Sequence, residues 1–136
     1  MSRPILLAYQ VLTGASDTLT GALLIVAPEL TLRLMGVHAP ADALVYLQYI
    51  GAFVLSVGLA CLYGALTMFR GGKPGTLQTV WLLTAFTRAS VAVFVVTQVL
   101  GQVLEPAWLT VAATDGACVL IQAIGLRKGW LDHVAR

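Results

Sequence analysis

Three ionisable residues, Asp17, Arg88 and Asp115, stand inside stretches of a 136-residue chain that are otherwise apolar enough to lie in lipid. An unpaired charge at the centre of a bilayer costs on the order of 3 kcal/mol or more. Each of these residues therefore needs a partner, and position along the chain says which partners are within reach. Asp17 stands 12 residues beyond Ile5, Arg88 stands 12 beyond Thr76, and Asp115 stands 12 before Arg127. At 1.5 Å per helical residue, all three lie about 18 Å from the same membrane face, level to within about 5 Å. An arginine offers five donors in a planar fork, so one guanidinium between two carboxylates offsets much of the cost.

Such a triad suits two chemistries. As a clamp, it fixes which helices adjoin. As a site, it carries net −1 with all three groups ionised, and it could bind a quinone or relay protons. A third arrangement turns one charge toward a partner subunit.

The surrounding residues share the same faces. Gln10, Thr13, Gly14, Asp17, Thr20 and Gly21 recur at three- and four-residue steps, as do Thr84, Arg88 and Ala92, and then Asp115, Cys118, Gln122 and Gly125. On a helix each set forms one narrow stripe. Gly51, Gly58 and Ala65 give the second apolar run a seam of small residues, the kind that packs helices in lipid. Around the polar cluster Asp17, Arg88 and Asp115, the residues placed to line a ligand are Gln10, Thr13, Thr84, Cys118 and Gln122. No catalytic residue is assigned.

Other chemistry is sparse. Cys61 and Cys118 fall inside apolar runs without a CxxC or Cys/His cluster, so they are expected as small packing residues and no metal site is indicated. His38 and His133 fall on opposite sides of the membrane and cannot ligate one haem. Each is expected at an interface, although His38 alone could serve a haem or pigment that a partner supplies. No phosphate loop or nucleophile motif is present. No cofactor is required by the sequence, and a quinone or pigment is reachable only through a partner. The few basic residues spread along one membrane edge, which excludes a nucleic-acid role.

Composition dictates the elements that must hold these residues. Charged residues make up 10% of the chain, hydrophobic ones 59%, and the mean hydropathy is +0.89. No soluble domain of this size has enough interior to hide so much apolar side chain. Four runs account for it, Ile5–Ala27, Leu44–Phe69, Leu77–Leu100 and Ala107–Leu126, each long enough to span about 30 Å of hydrocarbon. Arg3, Ile5–Leu12 and the small residues Thr13, Gly14 and Ala15 faintly resemble a cleaved signal. The apolar pattern resumes at Leu19, however, so the first span is retained. The expected fold is all-α: a single transmembrane four-helix domain over residues 1–136, antiparallel and up-down, with short connections.

Four spans put both termini and the 70–75 loop on one side, with Arg3, Arg70, Lys73, Arg127, Lys128 and Arg136; the other side has Arg33 beside Glu29, Asp42 and Glu105. Short loops rich in Lys and Arg stay cytoplasmic. Both termini are therefore expected inside, in a multi-pass protein of the inner (plasma) membrane. In the first outer loop, Pro28 can open a helical turn, Glu29 can pair with Arg33, and Gly36 can end the turn. With Leu30, Leu34 and Met35 dipping toward lipid, this reads as a short interfacial helix. Tyr46, Tyr49 and Trp108 are expected at the outer interface, and Trp130 and Trp81 at the inner one. VLTGASD (Val11–Asp17) aligns without gaps with LLTAFTR (Leu82–Arg88), setting Asp17 opposite Arg88. Either a duplicated helical hairpin or the chance likeness of two apolar helices accounts for the match.

APELTLRLMGV after the first span, YIGAFVLSVGLACLYG in the second, the mid-span arginine in FTR (Phe86–Arg88) and the acid of the fourth together resemble the DoxX-like class of small bacterial four-helix inner-membrane proteins. Some DoxX-like proteins are subunits of quinone-linked oxidoreductases, so the resemblance implies membership of a membrane complex. It gives this chain no catalytic residue. Asp115 also departs from the glutamate that the class leads one to expect. Three functions are then open. The first is a non-catalytic accessory subunit of a larger respiratory, photosynthetic or transport assembly, with the bilayer and other membrane subunits or further copies as partners. The second is a binding protein for a quinone- or isoprenoid-like apolar ligand. The third is a small membrane-embedded isomerase or redox-linked enzyme using the carboxylates as acid and base.

Overall fold

The computed structural model describes residues 2–71 and 73–132, so the expectations for His133 and Arg136 lie outside the described residues. The chain is all-α. Its α-helices are α1 (Arg3–Val26), α2 (Pro28–Met35), α3 (Leu44–Phe69), α4 (Pro74–Leu100) and α5 (Leu109–Arg127). Short 3-10 turns at Ala41–Ala43 and Pro106–Trp108 lead into α3 and α5, and no strand occurs among the described residues. Three stretches, Ala41–Phe69, Gly75–Leu100 and Pro106–Arg127, are long and apolar enough to cross a membrane. Helix α1 has comparable length, 24 residues, but Thr13, Ser16, Asp17, Thr18 and Thr20 interrupt its apolar run.

Local chemistry sets the ends of these helices. Pro4 falls in the first turn of α1 and Pro28 in that of α2, where a missing N–H is no loss. Helix α2 stops at Gly36, whose φ of 70° and ψ of 25° are left-handed, a conformation that glycine adopts without a Cβ clash. The Val37 N–H then donates to the Leu32 carbonyl at 3.1 Å. On α2, Leu30 and Leu34 point outward, whereas Leu32 is buried with Val37 and Leu47. Met35, expected beside Leu30 and Leu34 on the lipid side, packs partly buried against that apolar cluster instead.

The long helices associate as two antiparallel pairs. In the first, α1 lies against α3 with the backbones in direct contact, because Gly14 and Gly21 face a seam containing Gly51 and Gly58. A Cβ on Gly21 would overlap the Leu55 nitrogen, and one on Gly58 would overlap the Thr18 nitrogen. Both ends of this pair are pinned: Arg3 donates to the Met68 carbonyl at 2.7 Å and Gln48 to the Ile25 carbonyl at 2.9 Å. In the second pair α4 lies against α5, and Gln78 donates to Asp132 Oδ1 at 2.8 Å near its end.

The two pairs meet more loosely. Helices α3 and α4 touch, but among the described residues no Cα of α1 comes within 8 Å of one in α4 or α5. At one end Leu6, Met68, Leu77, Trp81 and Leu131 form a buried apolar plug across both pairs. At the other end His38 Nδ1 and Glu105 Oε2 pair at 3.4 Å, joining the loop after α2 to the loop before α5. Between these two closures the pairs are held by polar side chains.

Candidate functional site

Arg88 sits midway along α4, 5% exposed, with its guanidinium in the seam between the two helix pairs. One terminal nitrogen donates to Asp115 Oδ1 on α5 at 2.6 Å, and the other donates to Asp17 Oδ2 on α1. Two of the three residues that depth alone placed at one level, Asp17 and Asp115, are thus each bonded to the third, Arg88. The bond to Asp115 lies within the second helix pair, and the bond to Asp17 crosses to the first. The length of the arginine side chain allows that crossing, since among the described residues no Cα of α1 comes within 8 Å of one in α4. Each carboxylate engages Arg88 through one oxygen. The Asp17 and Asp115 side chains keep 20% and 15% of their surface exposed, so the seam opens at this level.

One turn away the polar contacts continue. The Gln122 amide donates to Thr84 Oγ1 at 2.8 Å, and the Thr84 hydroxyl donates to the Val80 carbonyl of its own helix at 2.7 Å. A further turn along, Trp81 Nε1 donates to Gln10 Oε1 at 2.9 Å, and Gln10 Nε2 donates to the Cys61 carbonyl at 3.2 Å. Tyr9 stands edge-on to Trp81, with ring centroids 5.5 Å apart, and its hydroxyl reaches the Cys118 carbonyl at 3.5 Å. Thr13 donates to the Tyr9 carbonyl in its own helix at 2.7 Å. Of the residues expected to line a ligand, Gln10, Thr84 and Gln122 are buried in the seam, Cys118 is half-buried, and Thr13 has its proton committed to α1.

Trp81 corrects an expectation. Its place near the end of a span, expected on the cytoplasmic side, marked it as an interfacial anchor, yet it is fully buried. Two glycines create its surroundings: a Cβ on Gly125 would strike the Trp81 ring, and one on Gly64 would strike the Gln10 amide. The indole therefore reaches across the seam to Gln10 rather than out to headgroups. Trp81, Thr84 and Arg88 share the i, i+3, i+7 spacing of one stripe, a signal from which the sequence could have placed Trp81 inward. Tyr9 and Cys61 were also outside the expected set; Cys61 is 1% exposed, with its thiol beside Arg88 and Thr13.

Two buried atoms in the seam have no hydrogen-bond partner among the described residues, Arg88 Nε and Gln122 Oε1. Among those residues there is no group of three or more His, Cys, Asp or Glu side chains able to hold a metal ion, and both cysteines are free thiols. A separate open groove of about 280 Å³ lies beside α2, lined by Glu29, Arg33 and His38 above Leu32, Val37 and Leu44. Chemically, the seam joins two helix pairs through one guanidinium and leaves carboxylate and amide oxygens uncommitted. No family model, curated protein or solved structure matches the chain.

Proposed function

We propose that this chain is an integral membrane protein of the inner (plasma) membrane that serves as a non-catalytic accessory subunit of a larger membrane assembly. In this reading α1 crosses the bilayer with α3, α4 and α5, giving four spans with both termini cytoplasmic. Its 24 residues extend about 36 Å at 1.5 Å each, enough to cross, and Asp17 is offset by Arg88. Lys and Arg crowd the side carrying Arg3, Arg70, Lys73, Arg127 and Lys128, which favours that side as cytoplasmic. Helix α2 then lies along the outer interface, with Leu30 and Leu34 toward lipid.

One observation carries the accessory-subunit reading. Only 17% of the apolar window of α5 is buried inside the chain, and its outward face bears Thr110, Ala113 and Ala117. Lipid contact alone is served by Leu, Val and Ile, whereas small residues at four-residue spacing let a second helix approach closely. The resemblance to DoxX-like proteins, some of them subunits of quinone-linked oxidoreductases, supports the same reading. Gentle solubilisation followed by native mass analysis tests it. The chain is expected to co-migrate with a larger complex, and Ala113→Leu with Ala117→Leu is expected to release it without lowering its own melting temperature. A lone chain from unmodified membranes would refute the subunit role.

A second reading is favoured by a different observation. The carboxylates of Asp17 and Asp115 are partly accessible through the seam, and Gln122 Oε1 is buried without a partner. This suits a binding protein for a lipid-like ligand of the quinone or isoprenoid type, with its polar end at the triad.

A further inference from the structure

We infer that the corner of the bundle carrying Arg3, Arg70 and Lys73 binds the head group of an anionic phospholipid. This corner meets lipid only if the chain spans the bilayer, as proposed above, so the inference rests on that reading.

The fold gathers the three cations. Arg3 opens α1 and donates to the Met68 carbonyl at 2.7 Å, next to the end of α3. Arg70 is the C-cap residue of α3, and Lys73 is the N-cap residue of α4. Three residues of chain hold Arg70 and Lys73 within about 11 Å of each other. All three cations are exposed, and none forms an ion pair among the described residues. Little offsets their charge. Helices α1 and α4 both begin here, and neither has an acid in its first turn. The acid at this end is Asp132, which accepts from Gln78 at 2.8 Å. Even with Asp132 counted against them, three cations less one acid leave a net +2.

An apolar surface adjoins the cations. Because Arg3 meets Met68, Ile5 and Leu66 each lie about 3 Å further along their helices, at 1.5 Å per residue, and Phe69 follows Met68 directly. Ile5, Leu66 and Phe69 are all exposed. A soluble phosphate would meet the cations alone. A phospholipid meets both surfaces, with its phosphate at the cations and its acyl chains on the apolar side chains. Each lysine or arginine near an anionic head adds about fivefold in affinity. A zwitterionic head brings its own cation to the same corner and forfeits much of that gain.

The test uses the full chain in non-ionic detergent micelles, with native mass analysis of bound lipid. Phosphatidylglycerol and phosphatidylcholine with matched acyl chains compete at equal concentration, and glycerol 3-phosphate is titrated in separately. Phosphatidylglycerol is expected to be retained about twentyfold or more over phosphatidylcholine, with no displacement by glycerol 3-phosphate. Arg70→Gln with Lys73→Gln is expected to cut that preference to about fivefold or less. Arg3 is left in place, because it also pins α1 to α3. Arg127→Gln with Lys128→Gln removes as much charge from the same end, and the preference is expected to stay within about twofold of the unmodified chain's. Equal losses in the two double variants would make the selectivity a property of the whole basic end, and the corner site would fall. Equal retention of the two lipids, or displacement by glycerol 3-phosphate, would overturn the phospholipid and leave the membrane reading standing. Release of the chain from membranes by alkaline carbonate without detergent would refute the membrane reading itself, and the inference with it.

Discussion

Arg88 holds Asp17 and Asp115 on separate nitrogens, so removing the guanidinium leaves two buried carboxylates facing each other. Arg88→Leu is expected to destabilise the protein by about 3–5 kcal/mol, the penalty for leaving buried charge uncompensated. Replacing Arg88, Asp17 and Asp115 together with leucine removes charge and counter-charge at once, and most of that loss should be recovered. Thermal unfolding in detergent compares the two; equal stability of the single and triple variants would show that the triad is no clamp. The triad was legible in the sequence because depth follows from counting 1.5 Å per residue, and three ionisable groups in apolar runs had few alternatives. The Gln10–Trp81 bond was not legible. It depends on Gly64 and Gly125 vacating space on two other helices, and no count along one helix reveals what a neighbour leaves empty. The usual interfacial habit of tryptophan then pointed outward where packing turned Trp81 inward.

The helices differ in how closely they can approach, and glycine marks the difference. At Gly21 an added Cβ would overlap backbone atoms of α3, whereas at Gly116 on α5 nothing lies within 4 Å of it. Gly21→Ala is therefore expected to cost about 1–3 kcal/mol, since α1 and α3 must separate. Gly116→Ala is expected to be neutral or to stabilise by up to about 1 kcal/mol, because alanine restricts the unfolded chain and favours helix. Melting temperatures of the two purified variants decide it, and equal losses would mean that the α1–α3 seam is not close-packed. The small-residue pattern at Gly51, Gly58 and Ala65 disclosed this seam, and helix boundaries followed from proline and from the ends of the apolar runs. Which helix fills the seam was not legible, because the same pattern suits any partner. Met35 shows a similar limit. Apolar character alone did not say whether it would face lipid or the Leu32–Val37–Leu47 cluster.

At the scale of the whole molecule, two antiparallel pairs are closed by an apolar plug at one end and the His38–Glu105 pair at the other. The charges in between join them. The positions aligned between VLTGASD and LLTAFTR, Asp17 and Arg88, are the ones that meet across the pairs. The likeness of the pairs stops there: Gly58 is closely packed and Gly116 is open. What decides the architecture is whether α1 crosses the bilayer, since it is the helix with the most interrupted apolar run. Its polar residues do not argue against crossing, because Gln10, Asp17 and the small residues Gly14 and Gly21 face the other helices, while Leu12, Leu19 and Val26 are exposed outward. The proposed four-span arrangement predicts Ser2 and Lys73 on the cytoplasmic side and Arg33 and Gln102 outside. Single cysteines at these positions, made with Cys118→Ala and with Cys61 left in its buried place, test this with a membrane-impermeant maleimide on intact cells. Arg33→Cys and Gln102→Cys are expected to label directly, and Ser2→Cys and Lys73→Cys only after permeabilisation. Should Ser2→Cys label from outside together with Arg33→Cys, α1 would lie on the membrane rather than across it. Arg88 would then meet Asp17 at a surface, and the reason for burying either charge would be lost.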